Sequence, residues 1–194
     1  MSVSIRPGKK EDAKFIAPLV YLAIEDLADM FTGAMTRNEA IERLALLSGQ
    51  KGNRFSYEYA LVMEEDNNII GVGIAYPEKI IDKLTKNTLE LSKKLSWQIN
   101  EKISQRLLKD KEAPKGTYYI DSIAIDKGFR GKGYATLLIE VLEKKALEMG
   151  INITSLLADI NNPRAKSLYE KLGYRSIGRV LANGHNYIAL IKKL

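Results

Sequence analysis

Between an apolar, strand-like run and a helix-like run stand Gly128-Phe129-Arg130-Gly131-Lys132-Gly133. Glycines let a backbone come close to a ligand, and successive amide N–H groups at a helix N-terminus attract an anion. Spacing narrows which anion. A Walker A loop needs G-x-x-x-x-G-K-[ST], but Asp126 stands five residues before Gly131 and Gly133 follows Lys132, so the pattern fails. A dinucleotide fingerprint needs G-x-G-x-x-G, and counting from Gly131 puts Thr136 where the last glycine belongs, so that fails too. What remains is R-x-x-G-x-A, carried by Arg130, Gly133 and Ala135.

A second segment lies downstream: Asn162-Pro163-Arg164-Ala165-Lys166-Ser167-Leu168-Tyr169-Glu170-Lys171-Leu172-Gly173-Tyr174. With these two motifs in this order, the chain resembles the GNAT superfamily of acetyl-CoA-dependent N-acetyltransferases. That family carries Q/R-x-x-G-x-G/A between a strand and a helix, then N-x-x-A-x-x-L-Y-x-x-x-G-[FY]. Ile123-Ala124-Ile125-Asp126 is similar to its fourth strand. The resemblance covers about residues 118 to 178 and is topological before that. One departure concerns residues 78 to 116, which lengthen a third-to-fourth strand connection that is usually short.

The resemblance implies a cofactor site and a reaction. Backbone amides of Arg130, Gly131, Lys132, Gly133, Tyr134 and Ala135 would hold the pyrophosphate of acetyl-CoA, with charge added by Arg130 and Lys132. The Ile123-Ala124-Ile125 strand would pair its backbone with the pantetheine arm, as an added strand does; Ile123 and Ile125 are equally at home in a core. Asn162 would hydrogen-bond the cofactor, cap the helix that starts at Pro163, or do both. Tyr169 would be the general acid for the departing thiolate, or a helix tyrosine packed beside Leu168 and Leu172. Asp121 would be the general base, directly or through water, or a structurally bonded strand carboxylate. Strand alternation puts Asp121 on the side of Ile123 and Ile125. The acceptor would be a primary amine on a small molecule or a protein, attacked directly with no acyl-enzyme.

Composition sets wider bounds. The chain has 194 residues, 45% hydrophobic and 28% charged, ordinary values for one globular domain. No apolar run is long enough to cross a bilayer, and no apolar signal region stands at the N-terminus, so the expected location is cytoplasmic. Cysteine is absent and histidine occurs once, at His185, which argues against disulfides, thiolate nucleophiles and a zinc centre. A net charge of +6 suits an anionic partner. Nucleic acid would need a recognised binding motif, and none accompanies the basic residues.

The elements that position these residues follow from pattern. Val3 to Arg6 reads as a strand stopped by Pro7-Gly8. Ile16, Leu19, Val20, Ala23, Leu27 and Met30 recur as one amphipathic helix. Glu25, Asp26 and Asp29 lie on its polar side, as a solvated face or a border of the acceptor site. A second helix opens on a capping box, Thr36 to Glu39, and closes before Gly49. Phe55, Tyr57, Tyr59, Leu61 and Met63 alternate as a half-buried strand, and Ile69 to Tyr76 returns. Residues 78 to 116 hold ten Lys/Arg and six Asp/Glu, hence +4. There Leu95, Ile99, Ile103 and Leu107 suggest a helix with one apolar stripe that borders the acceptor groove or a homodimer contact, with Trp97 packing it. Tyr118 to Asp126 is a strand, then come the loop and a helix to Met149. Ile151 to Asp159 is a strand, and a short helix runs from Pro163 to Gly173. Tyr174 to Leu181 and Asn186 to Ile191 form a hairpin about Asn183-Gly184, with His185 a hairpin residue. The expected fold is α/β: a GNAT-like mixed, mostly antiparallel sheet flanked by helices, with a helical insertion between the third and fourth strands. Residues 1–194 would form a single N-acetyltransferase domain.

Overall fold

The computed structural model describes residues 3–194. In chain order the elements are β1 (Val3–Pro7), α1 (Ala13–Ile24), α2 (Asp26–Thr32), α3 (Arg37–Ser48), β2 (Ala60–Glu65), β3 (Asn68–Pro77), α4 (Ile81–Lys94) and α5 (Glu101–Lys109). They continue with β4 (Tyr118–Ile125), α6 (Tyr134–Glu148), β5 (Ile153–Asp159), α7 (Pro163–Lys171), β6 (Arg175–Ala182) and β7 (His185–Lys193). Seven strands make one sheet in the order β1-β2-β3-β4-β5-β7-β6. Every neighbouring pair is antiparallel except β4 and β5, which run parallel with α6 as their crossover. The mixed, mostly antiparallel sheet with helices inserted between β3 and β4 is therefore as the sequence predicts.

Both sheet faces are covered. One apolar cluster gathers Leu19, Val20, Phe31, Leu44, Val72, Ile74, Tyr76 and Tyr119 beneath the N-terminal helices and the insertion. The other gathers Ile70, Tyr118, Ile120, Ile125, Leu138, Leu142 and Leu156, largely against α6. Two-sided burial explains one difference from the sequence reading. Strand β2 starts only at Ala60 and is buried on both sides over Ala60–Met63, so it shows no alternation. The alternating aromatics before it belong to a loop and a 3-10 turn at Tyr57–Tyr59, capped by Ser56.

Two predicted helices are broken. The first stops at Ile24 and restarts at Asp26, because Glu25 takes φ 42. Its N–H still bonds to the Tyr21 carbonyl at 2.8 Å. Residues on both sides of the break drain into the same cluster, so the apolar repeat hides it. In the insertion, Leu95 and Ile99 lie in the link between α4 and α5, and only Ile103 and Leu107 are helical. The face that α4 buries is instead Ile81, Leu84, Thr85, Thr88 and Ser92. Hydroxyls on that face satisfy backbone groups: Ser92 donates to the Phe31 carbonyl at 3.1 Å, and Thr88 accepts from the Arg54 N–H at 3.1 Å.

Candidate active site

Strands β4 and β5 begin side by side and then part. Only Tyr118, Tyr119 and Ile120 pair with Thr154, Ser155 and Leu156. Beyond them, β5 stays joined to β7 through Asp159, while the β5-facing edge of residues 121–125 has no strand partner. Period-two geometry tells which backbone groups line that edge. The Asp126 N–H donates to Ile70 at 2.8 Å on β3. Counting back by two along the strand turns Ala124 and Ser122 toward β3, and Ile125 and Ile123 toward the gap. Unpaired strand edges accept extended ligands. Both isoleucines also pack against the α6 cluster.

The loop follows at the open end of this fork. Gly131 and Gly133 have φ of 83 and 80, values that favour glycine. A side chain at either would meet nothing within 4 Å, so the requirement is conformational rather than steric. Gly133 is the N-cap of α6 and offers no side-chain acceptor to the first turn. The first-turn N–H groups thus face outward as an anion site. The Arg130 Nε donates to the Ile125 carbonyl at 3.0 Å, fixing the loop to the strand. Lys132 turns its charge toward Glu65. Its ammonium lies 3.6 Å from Glu65 and 5.1 Å from the centre of the Phe129 ring. The Tyr134 hydroxyl also donates to Glu65 at 2.5 Å, and this bond raises its pKa.

On the far side of the fork, Asn162 caps α7 by accepting from the Ala165 N–H at 3.0 Å. That leaves its amide N–H groups for other partners. Tyr169, two turns further along, packs against the same cluster as Ile123, Tyr134 and Ala135. Its ring centre is 6.0 Å from that of Tyr174. Burial pushes its phenol up to about 12, so the proton is retained throughout the neutral range. The fold thus brings Ile123, Ile125, the loop and Tyr169 to one face.

Asp121 is on the other face, which corrects the expectation from alternation. The β3–β4 register slips at this residue: Ile74 pairs with Ser122 and Ala75 with Ile120, leaving Asp121 as the extra residue of a bulge. Bulges shift the alternation by one. Ile120, Ile123 and Ile125 therefore share the α6 side, whereas Asp121 meets Tyr76 of the opposite cluster. Its carboxylate accepts from Arg54, from the Tyr76 hydroxyl at 2.7 Å and from Ser122 at 3.1 Å.

Arg54 and Glu112 complete this network, and the sequence reading missed both. Arg54 reaches Glu112 with two parallel bonds of 2.8 and 2.6 Å. The two side chains are 2% and 3% exposed, so the pair is shut from water. Burial works against the Arg54 charge, but Asp121 and Glu112 hold the guanidinium protonated well above its ordinary range. Burial likewise disfavours the Glu112 carboxylate, yet Arg54, Asn183 and Tyr119 together hold its pKa below the usual value. Glu112 accepts from the Tyr119 hydroxyl at 3.0 Å and from the Asn183 amide at 3.3 Å. The one available signal is an arginine next to an aromatic run; Glu112 is one of six acids in a basic insertion, with nothing beside it to set it apart.

The remaining polar residues frame the open end. His185 contacts Asp26 at 2.8 Å, joining the β6–β7 turn to α2. Trp97 packs under the Arg43 guanidinium at 5.2 Å. Between α2 and the α4–α5 link is a cleft of about 360 Å³ whose walls include Asp26, Asp29, Met30, Ile99 and Ile103. Asp29 turns a buried, unpartnered Oδ1 here, and burial followed by Asp26 raises its pKa.

Residues 24–174 match the Acetyltransferase (GNAT) family. The chain belongs to that family. Among GNAT proteins, the uncharacterized N-acetyltransferase YdgE of Bacillus subtilis (strain 168) is 29% identical over 102 residues, 50% of this chain and 65% of that protein. The matched stretch is thus just under two-thirds of that relative's length. Two crystal structures share the fold over nearly the whole chain. One, of an acetyltransferase, has 27% identity and a TM-score of 0.80, covering 98% of each chain. The other, an N-acetyltransferase from Staphylococcus aureus Mu50, has 30% identity and a TM-score of 0.78, covering 97% of this chain and 100% of that one. Among the described residues of this GNAT chain, no helix is long and apolar enough to cross a membrane.

Proposed function

We propose that residues 1–194 act as one N-acetyltransferase domain in the cytoplasm, moving an acetyl group from acetyl-CoA to a primary amine of a small molecule or a protein. The observation that carries this reading is the parting of β4 from β5 directly before a loop with two left-handed glycines. A fork with a free strand edge suits an amide-rich arm, and an uncapped helix start suits a pyrophosphate. Amides of Arg130 to Ala135, together with the free end of the Arg130 guanidinium, would hold the phosphates. Backbone groups of Ile123 and Ile125 would pair with the pantetheine, along the Ile123-Ala124-Ile125 strand. Asn162 would add a donor from its amide while keeping its cap.

Chemistry is then direct aminolysis. The amine nitrogen bonds to the thioester carbonyl carbon and the C–S bond breaks. The Ile123 N–H stabilises the negative oxygen, because it points into the gap. Tyr169 donates its proton to the departing thiolate, whose need is modest since a free thiol has a pKa of roughly 8.5. The attacking amine must be neutral, and its proton passes to water. We assign Asp121 to structure, because its oxygens are committed to Arg54, Tyr76 and Ser122.

Two measurements test this. Acetyl-CoA should stabilise the native state by about 2.7 kcal/mol at a hundredfold excess over Kd, and so raise the melting temperature. A panel of amines, scored by release of free CoA thiol, should contain at least one substrate. A thermal shift without thiol release from any amine would reduce the protein to a cofactor-binding module. No shift at all would remove the cradle.

A further inference from the structure

Arg54 has no task in the acetyl-transfer chemistry, yet its surroundings are specific. Every guanidinium N–H except that on Nε has a partner: Thr85 at 3.4 Å, both oxygens of Glu112, and Asp121. These partners come from three places that are distant in sequence. Thr85 lies on α4, Glu112 ends the insertion just after α5, and Asp121 is the bulged residue of β4. Through Glu112 the cluster also reaches Asn183 in the β6–β7 turn. That turn's backbone is tied to the insertion again, because the Asn183 N–H donates to Asp110 at 2.6 Å. Since Tyr187 of β7 stands opposite Asp159, the turn lies beside the open end of the fork.

We infer that Arg54 is a positioning residue for the transfer reaction: one buried guanidinium ties the β4 bulge, the end of the insertion and the β6–β7 turn into a single rigid frame around the fork. The inference rests on reading the fork as the acetyl-transfer site. Its physical basis is register. The extra residue Asp121 is what turns the backbone of Ile123 and Ile125, rather than Ser122 and Ala124, toward the gap. A bulge has no ladder partner of its own to hold it, and a slip of one residue reverses every group beyond it. The carboxylate of that residue, clamped by Arg54 and by Tyr76 at 2.7 Å, supplies the missing hold. Only arginine fits the task. Its planar fork bonds two carboxylates at once in fixed directions, which a lysine ammonium cannot do.

The test uses the full chain with Arg54→Lys, and Glu112→Gln as a near-isosteric second variant should the lysine fail to fold. Amide hydrogen exchange and CoA affinity are read first, then kcat and KM with an amine substrate from the panel. In Arg54→Lys, exchange should rise at least about tenfold in residues 110–116, 121–125 and 182–186 together, while 130–135 and α6 stay as in wild type. Glu112→Gln should loosen 110–116 and 182–186 and spare 121–125, which keeps its own link to Arg54. CoA affinity should stay within about threefold and kcat should fall about tenfold or more, since geometry at the fork matters more than ground-state binding. Exchange confined to the neighbourhood of position 54, exchange raised everywhere alike, or kcat and CoA affinity lost in step would each overturn the frame. A wild-type protein with no amine substrate would instead defeat the acetyl-transfer reading, and the exchange pattern would still decide whether Arg54 ties the three segments.

Discussion

Arg130 and Ile125 are joined by a bond from the guanidinium Nε to the strand carbonyl, 3.0 Å long. One edge of the arginine thereby locks the loop to β4, and the terminal N–H groups stay free at an exposed position. Arg130→Ala removes both the lock and the charge. A hydrogen bond to a charged group contributes about 1.5–3 kcal/mol, so CoA should bind roughly tenfold or more weakly. Calorimetric titration at two salt concentrations checks this. The wild-type affinity should fall more steeply with salt than the variant's, and parallel slopes would take the charge of Arg130 out of the cradle.

Gly133 tests the cradle from the backbone. Its φ of 80 disfavours any side chain, yet no atom lies within 4 Å of where a Cβ would stand. Gly133→Glu should therefore fold, at a cost of about 1–2 kcal/mol for the left-handed residue. It also brings a carboxylate to an anion site. The rise in melting temperature with acetyl-CoA should vanish while the far-ultraviolet dichroism is unchanged. A shift as large as in wild type would mean that the pyrophosphate lies elsewhere.

The loop was legible because its signals are local, whereas the fork depends on where β4 leaves β5 and had no mark in either segment. Glycines at fixed offsets, a strand before them and a helix after them all fall between Tyr118 and Gly150. Thr36 and Asn162 were equally readable as caps, and both do cap. What could not be read depends on pairing at a distance. The bulge at Asp121 is set by its register with β3, so alternation within β4 alone placed the carboxylate on the wrong face. Arg54 and Glu112 are 58 positions apart, and neither has a sequence neighbour that marks it as buried. The break at Glu25 was invisible for another reason: α1 and α2 feed the same cluster, so the apolar repeat runs on across it.

Tyr169→Phe keeps the ring against its cluster and removes the proton. If Tyr169 is the general acid, kcat should fall roughly 10²-fold with CoA affinity unchanged. Burial raises this phenol to about 12, so the acid stays protonated and imposes no alkaline limb below about pH 10. Variant and wild type should therefore share one profile shape, offset in height. The same shift has a stability sign. Its contribution is fully present below the unfolded value near 10 and is lost as pH rises from there through about 12. Equal turnover in the two proteins would return Tyr169 to packing alone.

Asp29 should prove a destabilising carboxylate. Its Oδ1 is buried without a partner, and burial and then Asp26 raise its pKa. An acid with a raised folded pKa favours the native state while protonated and loses that advantage as pH climbs through the folded value. Asp29→Asn should accordingly gain about 0.5–1 kcal/mol at pH 7, a figure kept small because the side chain is partly exposed. The gain should shrink as pH is lowered and disappear by about pH 3, below the ordinary aspartate value, where wild type is protonated too. Urea unfolding at the two pH values measures it, and a loss of stability at pH 7 would mean that the carboxylate has a partner in solution.

Asp121→Asn separates the structural assignment from the catalytic one. As general base, Asp121 would have to exchange a proton with the amine, so its loss would remove about 10²-fold or more from kcat/KM and change the pH profile. As the anchor of the bulge, it holds Arg54, Tyr76 and Ser122, and the amide keeps the shape and part of the bonding. The profile should then retain its form, because the titrating group is the amine itself, and kcat should fall by less than about tenfold. Stability supplies an independent comparison. Two carboxylates face one guanidinium, so Asp121→Asn leaves Arg54 and Glu112 as a balanced pair and should cost about 1–3 kcal/mol. Arg54→Met leaves both carboxylates buried without a counter-charge and should cost more, about 3–5 kcal/mol or beyond. Denaturant unfolding of the two variants side by side gives the order. Equal costs would show that Asp121 does not share the Arg54 charge, and a lost pH limb in Asp121→Asn would make it the base after all.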